Sequence, residues 1–409
     1  MTTDLVRSVK ELLRSHGKPS REVYLDSENS GIVLEEALAE MLKVYREVGY
    51  GHPSITNRPG WEAYEVLYEA THSVAGVIGA RVEEIVYTHS GTEANNLAIL
   101  GSARANKSKR RKIIVSSIEH LSVIFPAEEL CKYGYRLVKI PVDEEGFIDV
   151  EALANEIDKE TFLVSIAVVN HEIGTIQDLK ALVEIVKDKD EEVLFHTDAA
   201  DALGRVELNL RKLGVDMATL SSHKAYGPKG VGALYIREGV GIEPILYGQL
   251  STQRLWPGVE NIPAIAGFGS AVRVLKQRYS ECVPRMMKLR DKLIEGVLEK
   301  VEYTLLNGPR GDRRAPDNIN ISFLYCEGEA LTIELSMRGV YVSSGSACTS
   351  RILEPSHVLL ATGRKYEEAH GSILMKVTPF HDESDIEYVL EQIPEAVGRL
   401  RAIAPVDRW

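Results

Sequence analysis

The chain has 409 residues, a length that predicts two domains rather than one core. Hydrophobic residues make up 44% and charged residues 26%, which is typical of a soluble globular protein. The formal net charge of -12 argues against nucleic acid as the main partner. We expect no membrane partner, because no stretch approaches the roughly 20 apolar residues of a membrane span. The charged N-terminal segment lacks the apolar core of a signal peptide.

The cysteines and one basic run carry little weight by themselves. The four cysteines are Cys131, Cys282, Cys326 and Cys348, and none is paired at CxxC spacing. We therefore expect neither a metal site nor a disulfide framework, and a reducing, cytoplasmic location fits best. The basic run from Lys107 to Lys112 is expected to be a solvated surface loop.

Short apolar segments alternate with helical segments from about Tyr24 to Ile236. Seven segments are typical of buried strands: EEIVYTH, RKIIVSS, YRLVKIPV, TFLVSIAVV, EVLFHTD, DMATLSS and GALYI. Helical stretches such as EANNLAILGSARAN, LSVIFPAEELCKYG and LKALVEIVKDKD lie between them. This alternation predicts an α/β domain with a mainly parallel seven-stranded sheet flanked by helices.

The pattern changes after Asn261. One long helical stretch, AIAGFGSAVRVLKQRYSECVPRMMKLRDKLIEGVLEKV, leads into a smaller α/β region. That region contains the strand-like runs NINISFLY and GVYVSSG and the closing helix SDIEYVLEQIPEAVGRLRAIA. We expect a large domain over residues 24–262 and a small domain formed by residues 1–23 and 263–409.

The run THSGTEANNLAILG places Ser90, Gly91 and Thr92 between an apolar strand and a helix. Free backbone N–H groups and a hydroxyl at a helix N-terminus can bind phosphate. An ordinary helix start fits equally well, because Thr92 followed by Glu93 can begin a helix without any ligand. Both interpretations stay open at this point.

Two more polar residues follow apolar strands. Asp198 ends the run VLFHTD, a place where carboxylates are disfavoured unless paired. It could keep a pyridine nitrogen protonated, or it could be a turn residue at a strand end. His120, in SSIEHLSV, could stack on a flat ring and move protons, although a lone histidine is more often structural.

A lysine and a cysteine in unusual loops suggest covalent chemistry. Lys224 lies in SSHKAYGPKGVGALYI, a glycine-flanked turn that can present an amine to an aldehyde. Cys348 lies in VSSGSACTSRILEPSHVL, a Ser/Gly/Thr-rich loop that presents a thiol. Together they suggest an enzyme that holds pyridoxal phosphate (PLP) as a Schiff base and takes an atom onto a sulfur.

The sequence resembles the NifS/IscS-type cysteine desulfurases, which are class V aminotransferases of PLP fold type I, from about Tyr24 to Pro405. The matching runs are SHKAYGPKGVGALY, VSSGSACTSRILEPSHVL, SGTEANNLAILG, AVVNHEIGTIQD, FHTDAA and ENIPAIAGFG. The resemblance implies PLP-dependent removal of sulfur from L-cysteine with release of L-alanine, for iron–sulfur cluster assembly or thio-modification. It also implies a homodimer. The long-loop pattern SSGSACTS implies delivery of sulfur to a partner such as an iron–sulfur scaffold protein.

The same resemblance implies a role for each motif residue. Lys224 would bind the cofactor covalently, Asp198 would pair with the pyridinium nitrogen, and His120 would stack on the ring and take part in catalysis. Cys348 would attack the substrate sulfur and carry it as a persulfide. The residues implied to hold the phosphate are Gly91, Thr92, Ser221 and His223.

The sequence departs from the family around the ring oxygen. Where the family has Asn-Asn-Glu, this chain has Asn170-His171-Glu172, and the family's glutamine after the aspartate is Asp201. Both His171 and Asp201 would face the phenolic oxygen of PLP. We expect a protonated His171 to pair with Asp201, because a bare carboxylate there would repel the ring oxygen.

The substrate end departs further. Leu374 stands where the family has a carboxylate-binding arginine, and leucine cannot replace a bidentate guanidinium. Lys376, Arg254 and Arg351 are the candidate replacements. Val259 stands where the family has a threonine that reaches the phosphate of the neighbouring subunit.

Three functions compete at this point. The leading interpretation is a cysteine desulfurase. The second is a PLP-dependent lyase or aminotransferase for another amino substrate, which Leu374 favours and the Cys348 loop opposes. A non-catalytic scaffold is the weakest, because it would give Lys224, Asp198 and Cys348 no reason to occur together.

Overall fold

A computed structural model describes residues 3–345 and 355–403 of the chain, which form three sheets covered by helices. The strands are β1 (Val23–Tyr24), β2 (Ile85–Thr88), β3 (Lys112–Ser116), β4 (Arg136–Ile140), β5 (Thr161–Ser165), β6 (Leu194–Asp198), β7 (Met217–Ser221), β8 (Gly232–Ile236), β9 (Thr304–Leu306), β10 (Asn318–Phe323), β11 (Val340–Tyr341), β12 (Ser343–Ser344) and β13 (Ser372–Lys376).

The α-helices alternate with these strands. They are α1 (Thr3–His16), α2 (Glu35–Glu47), α3 (Arg58–Ile78), α4 (Gly91–Asn96), α5 (Ser102–Ala105), α6 (Leu121–Cys131), α7 (Val150–Glu156), α8 (Leu179–Lys189), α9 (Leu210–Leu213), α10 (Ile262–Gln277), α11 (Tyr279–Lys300), α12 (Gly328–Met337), α13 (His357–Ala361), α14 (Tyr366–His370) and α15 (Glu383–Ile403). A π-helical turn over Leu97–Gly101 joins α4 to α5 without a break.

The largest sheet confirms the predicted mainly parallel seven-stranded architecture. Its strand order is β2-β8-β7-β6-β5-β3-β4, and β8 alone runs antiparallel to its neighbours. The other strands share one direction, so the segments after β2, β3, β6 and β7 all leave the sheet at the same edge. Ligands bind at the carboxyl ends of strands in such sheets. The polar motifs identified in the sequence follow these four strands.

Two large apolar cores lie on different parts of the chain. One packs α2, α3, α8 and α10 against a face of the seven-stranded sheet. The other lies between α11, α15 and the sheet of order β12-β13-β10-β9, and it also includes Val23 and Leu25. The short strand β1 pairs with β11, so this N-terminal strand belongs to the part of the fold that contains the smaller core.

The packing of helix α10 bears on the expected boundary between the large and the small domain. The long predicted helix is two helices, α10 and α11, which meet at Arg278. Buried side chains of α10, such as Phe268 and Val272, belong to the larger core and pack near α2 and α3. We therefore propose that the domain boundary follows α10 rather than preceding it at residues 262–263.

The basic run is more structured than a solvated loop. Lys112 begins β3, is buried, and pairs with Asp158 at 2.5 Å. Arg110 pairs with Asp190 at 2.7 Å and contacts Glu192. The expectation of a solvated loop is wrong for these two residues, because neighbouring carboxylates neutralise both. Over the described residues, no helix combines the length and the apolar character needed to cross a membrane.

Candidate active site

One cavity at the carboxyl edge of the seven-stranded sheet collects the predicted cofactor residues. Its volume is about 200 Å³. It is lined by Gly91, Thr92, His120, His171, Asp198, Asp201, Ser221, His223 and Lys224, together with residues that the sequence motifs had not singled out. The predicted nucleophile Cys348 lies outside the described residues.

Lys224 reaches the cavity from a tight turn after β7. The turn is a short 3₁₀ segment, His223–Ala225, and Tyr226 closes it with a left-handed φ of 53°. The Arg205 guanidinium donates a hydrogen bond of 2.7 Å to the Lys224 carbonyl and so holds the backbone of the turn in place. Gly227 makes this turn possible, because a Cβ there would lie 2.4 Å from Ser222 Oγ. The local backbone therefore points the lysine amine into the cavity.

A chain of hydrogen bonds connects Asp198 to His120. The Asn95 amide donates to Asp198 Oδ2 at 2.8 Å and to Ser122 Oγ at 2.8 Å. The Ser122 hydroxyl lies 2.7 Å from His120 Nδ1, which also accepts from the Ser122 backbone N–H. Because Nδ1 accepts from the backbone, a neutral His120 carries its proton on Nε2. Asn95 and Ser122 were not predicted, although Asn95 lies in the matching run SGTEAN.

The environment of Asp198 favours a cationic partner for its carboxylate. In the described part of the chain its carboxylate accepts from Asn95 and from the Ala200 N–H at 2.9 Å, and it has no ion-pair partner. Partial burial raises the pKa of Asp198 above its usual range. A protonated ring nitrogen beside it would offset that cost.

The start of α4 forms a cup for an anion. Ser90 is the N-cap and accepts from the Glu93 N–H at 3.2 Å. The cap is thus Ser90 rather than Thr92, which leaves Gly91 and Thr92 in the first helical turn with their N–H groups at the cavity. A Cβ on Gly91 would lie 3.3 Å from the Ser221 Cβ, so glycine keeps this cup open.

Ser221 and His223 close the other side of the cup. The Ser221 hydroxyl lies 3.1 Å from His223 Nδ1. Burial lowers the pKa of His223 to about 4, so its ring is neutral at physiological pH. The cup therefore offers N–H groups and hydroxyls, which suit a phosphate dianion.

Asp201 has a different partner from the one expected. Burial alone would raise the pKa of Asp201, but Lys224 and Lys376 outweigh it and hold that pKa well below its usual range. Lys376 Nζ lies 2.5 Å from Asp201 Oδ1, and Lys224 Nζ lies 3.3 Å from Oδ2. Burial, assisted by His120, keeps the pKa of His171 well below its ordinary value. The expected protonated His171 beside Asp201 is wrong, since Lys376 already supplies the positive charge.

Glu28 is the main site residue that the motifs missed. It follows β1, lines the cavity, and forms ion pairs with both Lys224 and, at 2.6 Å, Lys376. No motif in the sequence pointed to Glu28, because its partner Lys224 lies 196 positions away.

A second cavity adjoins the first and includes Leu374, the residue that replaces the family's carboxylate-binding arginine. It is lined by Leu374, Glu28, His120 and His171, by Ser343 to Gly345, and by Ser356. Gly345 and Ser356 lie on either side of the segment that contains Cys348. Between them lies Glu172, whose carboxylate accepts from Ser356 Oγ at 2.6 Å. Burial raises the pKa of Glu172 to about 8.

The candidate cations for a substrate carboxylate differ in availability. Lys376 is 1% exposed and is already neutralised by Glu28 and Asp201. Arg254 lies in an exposed position, on the segment that borders β2. Arg351 lies outside the described residues. Among the described candidates, none is both free and directed into the substrate-side cavity.

Comparison with known proteins agrees with the geometry. The model of the family "Aminotransferase class-V" matches residues 23–388. The chain is 42% identical over 375 residues to cysteine desulfurase IscS 1 of Archaeoglobus fulgidus, covering 92% of this chain and 97% of that one.

Solved structures show the same fold. A NifS-like protein superposes with a TM-score of 0.86 at 34% identity, over 93% of this chain and all (100%) of the other. A structure described as SspA in complex with cysteine superposes with a TM-score of 0.76 at 28% identity, over 88% of this chain and 100% of the other. The chain therefore belongs to the class-V aminotransferase family, within the group of NifS/IscS-type cysteine desulfurases that its motifs resemble.

Proposed function

We propose that the protein is a PLP-dependent cysteine desulfurase. Overall, L-cysteine and the thiol of Cys348 would give L-alanine and a Cys348 persulfide, so that one sulfur atom moves and no external oxidant is needed. The observation that carries the proposal is the cavity in which Lys224, Asp198, His120 and the phosphate cup meet. The named relatives and the cysteine complex of SspA support L-cysteine as the substrate.

The side chains around the cavity fit PLP. Lys224 would hold the aldehyde carbon, Asp198 would pair with the ring nitrogen, and His120 would lie against the ring. Gly91, Thr92, Ser221 and His223 would hold the phosphate. Bound PLP supplies an electron sink that stabilises negative charge at the substrate Cα.

The protein's own groups would then orient the substrate and manage its protons. Lys224 lines the cavity, and it would give up the cofactor to the substrate amino group. His120, with Nδ1 held by Ser122, has its Nε2 proton available to the cavity. Walls formed by Leu374 and His171 limit water on the substrate side.

The role proposed for Cys348 rests on its sequence motif and on the described residue Gly345 nearby in the chain. Cys348 follows Gly345 by three residues, and Gly345 lines the substrate-side cavity. A thiolate is needed for attack on sulfur, and we propose that Cys348 supplies it.

Incubation of the purified protein with L-cysteine tests the proposal. Wild type should release alanine and form a persulfide on Cys348, detected by mass spectrometry. Cys348→Ser should keep the visible band of bound PLP but form no persulfide. The matched control is Cys131→Ser, which removes an exposed cysteine and should behave as wild type. Persulfide formation by Cys348→Ser at the wild-type yield would contradict the proposal.

Covalent attachment at Lys224 is tested separately. Borohydride should trap PLP on Lys224 in wild type, and Lys224→Ala should lose both the trapped label and turnover. A label on a different lysine would contradict the assignment.

A second function is favoured by one observation. Leu374 lies in the substrate-side cavity where the family has a carboxylate-binding arginine. A PLP-dependent lyase or aminotransferase for a different amino substrate would explain this change. Turnover of L-cysteine that is far slower than that of another amine would favour this alternative.

We further propose a homodimer. Exposed apolar side chains cluster on α2 and α3 and include Leu42, Tyr45, Trp61, Tyr64 and Tyr68, each 45–60% exposed. Exposed apolar side chains that cluster in this way are typical of protein interfaces, which supports the proposed homodimer. The segment from Gln249 to Asn261, anchored by Gln253 to the Tyr87 backbone at 2.7 Å, presents Leu250 and Val259 outward and would complete the neighbouring site.

The remaining partners follow from the chemistry. A persulfide is a reactive sulfur donor, so we propose that its sulfur passes to an acceptor or iron–sulfur scaffold protein. The cytoplasm is the fitting compartment, because its thiols stay reduced. Sulfide release that is accelerated by an added scaffold protein would support this route.

A further inference from the structure

Four charged side chains form a closed ring of alternating sign at the cavity. Lys224 and Lys376 are the cations, and Glu28 and Asp201 are the carboxylates. Each carboxylate uses one oxygen for each lysine. Lys376 lies 2.6 Å from Glu28 Oε2 and 2.5 Å from Asp201 Oδ1, while Lys224 contacts Glu28 Oε1 and lies 3.3 Å from Asp201 Oδ2.

The members of the ring come from distant parts of the fold. Glu28 follows β1, Asp201 follows β6, Lys224 follows β7, and Lys376 ends β13 of the other sheet. The Lys376 ammonium is almost completely buried, whereas Glu28, Asp201 and Lys224 line the cavity. Lys376 therefore does not line the cavity, and its ion pairs among the described residues are with these two carboxylates.

We propose that Glu28 and Asp201, held in place by Lys376, keep a proton on the nitrogen that joins Lys224 to PLP. This inference rests on the proposed PLP function. Attachment of PLP to the Lys224 amine, with loss of one water, would leave a nitrogen at this position that can hold or lose a proton. The protonated form is positively charged, so two adjacent carboxylates stabilise it. It is also the form that a substrate amine attacks more readily.

Other titratable and charged groups lie near the Lys224 nitrogen. His171 and His223 are neutral, because burial lowers the pKa of each. Arg205 contacts the Lys224 carbonyl and is paired with Asp317 in the interior. The remaining carboxylate that lines the same cavity, Asp198, contacts Asn95. Glu28 and Asp201 are thus the carboxylates in direct contact with the lysine.

Lys376 is a positioning residue. Its removal should affect the protonation of the Lys224 nitrogen in the direction opposite to the removal of Glu28 or Asp201. Its positive charge offsets part of the field of the two carboxylates, so its removal would leave them more negative. A purely structural role would make the loss of any ring member act in the same direction. An electrostatic role requires the carboxylates and Lys376 to act in opposite directions.

The test is a spectroscopic pH titration of the PLP-bound protein without substrate. The visible band of the protonated linkage is followed until it converts to the deprotonated form. Relative to wild type, Glu28→Gln and Asp201→Asn should each lower the midpoint by about one pH unit. Lys376→Met should raise it, and the double change Glu28→Gln with Lys376→Met should return it close to wild type. The matched control is Glu36→Gln, a glutamate that pairs with Arg278 on the surface.

The possible results separate this inference from the proposed function. A wild type without a visible band overturns both. A normal band whose midpoint is unmoved by Glu28→Gln overturns the inference alone. The same holds if Glu28→Gln and Lys376→Met move the midpoint in the same direction. Glu28→Gln is the decisive variant, because it preserves the shape of a side chain that lines the cavity. Its result stands even if Lys376→Met folds poorly.

Discussion

The Asn95 amide donates a hydrogen bond of 2.8 Å to the carboxylate of Asp198. The same amide holds Ser122, which in turn lies against His120. Asn95 thus fixes the relative position of Asp198, which would pair with the ring nitrogen, and His120, which would lie against the ring.

Replacement of this asparagine should impair both binding and turnover. Asn95→Ala leaves Asp198 and Ser122 without their shared donor, and a hydrogen bond to a charged group contributes about 1.5–3 kcal/mol. We expect turnover to fall about tenfold or more, with weaker PLP binding, as measured by steady-state kinetics and fluorescence titration. Asn96→Ala is the control, because Asn96 on the same helix bonds only to the Thr92 carbonyl among the described contacts. Equal effects of the two changes would show that Asn95 has no special role.

Restoration of an arginine tests the substrate-side cavity. Leu374→Arg should lower KM for L-cysteine about tenfold, because a guanidinium can bind a carboxylate through two hydrogen bonds. It should leave KM for cysteamine, which lacks the carboxylate, unchanged or higher. Leu374→Met, which preserves volume and polarity, serves as the control. If L-cysteine and cysteamine respond alike, the substrate carboxylate does not face Leu374.

Glu172 should make stability depend on pH. Burial raises its folded-state pKa to about 8, above the unfolded value of 4.5. The folded protein therefore binds more protons than the unfolded chain between these values, and its stability decreases as pH rises through that window. The stabilising contribution of the proton is complete below the unfolded pKa and is lost by about pH 8. The slope for one such group approaches about 1.4 kcal/mol per pH unit.

The comparison with Glu172→Gln isolates this contribution. Urea unfolding at several pH values between 5 and 8 should show a shallower decrease for the variant than for wild type. Other groups, such as Glu119, whose pKa burial also raises to about 8, contribute equally to both proteins and cancel in the difference. Parallel stability curves would show that Glu172 is ionised in the folded state.

The exposed face of α2 and α3 should control association. Trp61 is 60% exposed, and Trp61→Glu would place a charge in the proposed interface. We expect wild type to sediment as a dimer and Trp61→Glu to shift toward monomer with reduced activity. The control is Tyr133→Glu, at a 71% exposed tyrosine after α6 that should leave the dimer intact. A wild type that is monomeric and fully active would rule out the proposed shared site.

The sequence was sufficient to predict the large sheet and nine of the residues that line the cavity at its edge. The apolar runs that end at Asp198 and before Lys224 are local patterns, and parallel strands place such ends at one edge of the sheet. His120 and Gly91 also follow strands, so chain order alone indicated that they meet. Their hydrogen-bonding partners are a different matter, because nothing local distinguishes the role of Asn95 from that of Asn96.

Tertiary structure alone decided the charges around the lysine. Asp201 and Lys376 lie 175 positions apart, and no spacing rule connects them. The sequence indicated His171 as the partner of Asp201, because the family resemblance placed both residues beside the ring oxygen. Packing of the sheet that contains β13 against the N-terminal segment instead brings Lys376 and Glu28 together. A buried charge takes whichever opposite charge the fold places beside it, and long-range packing determines that choice.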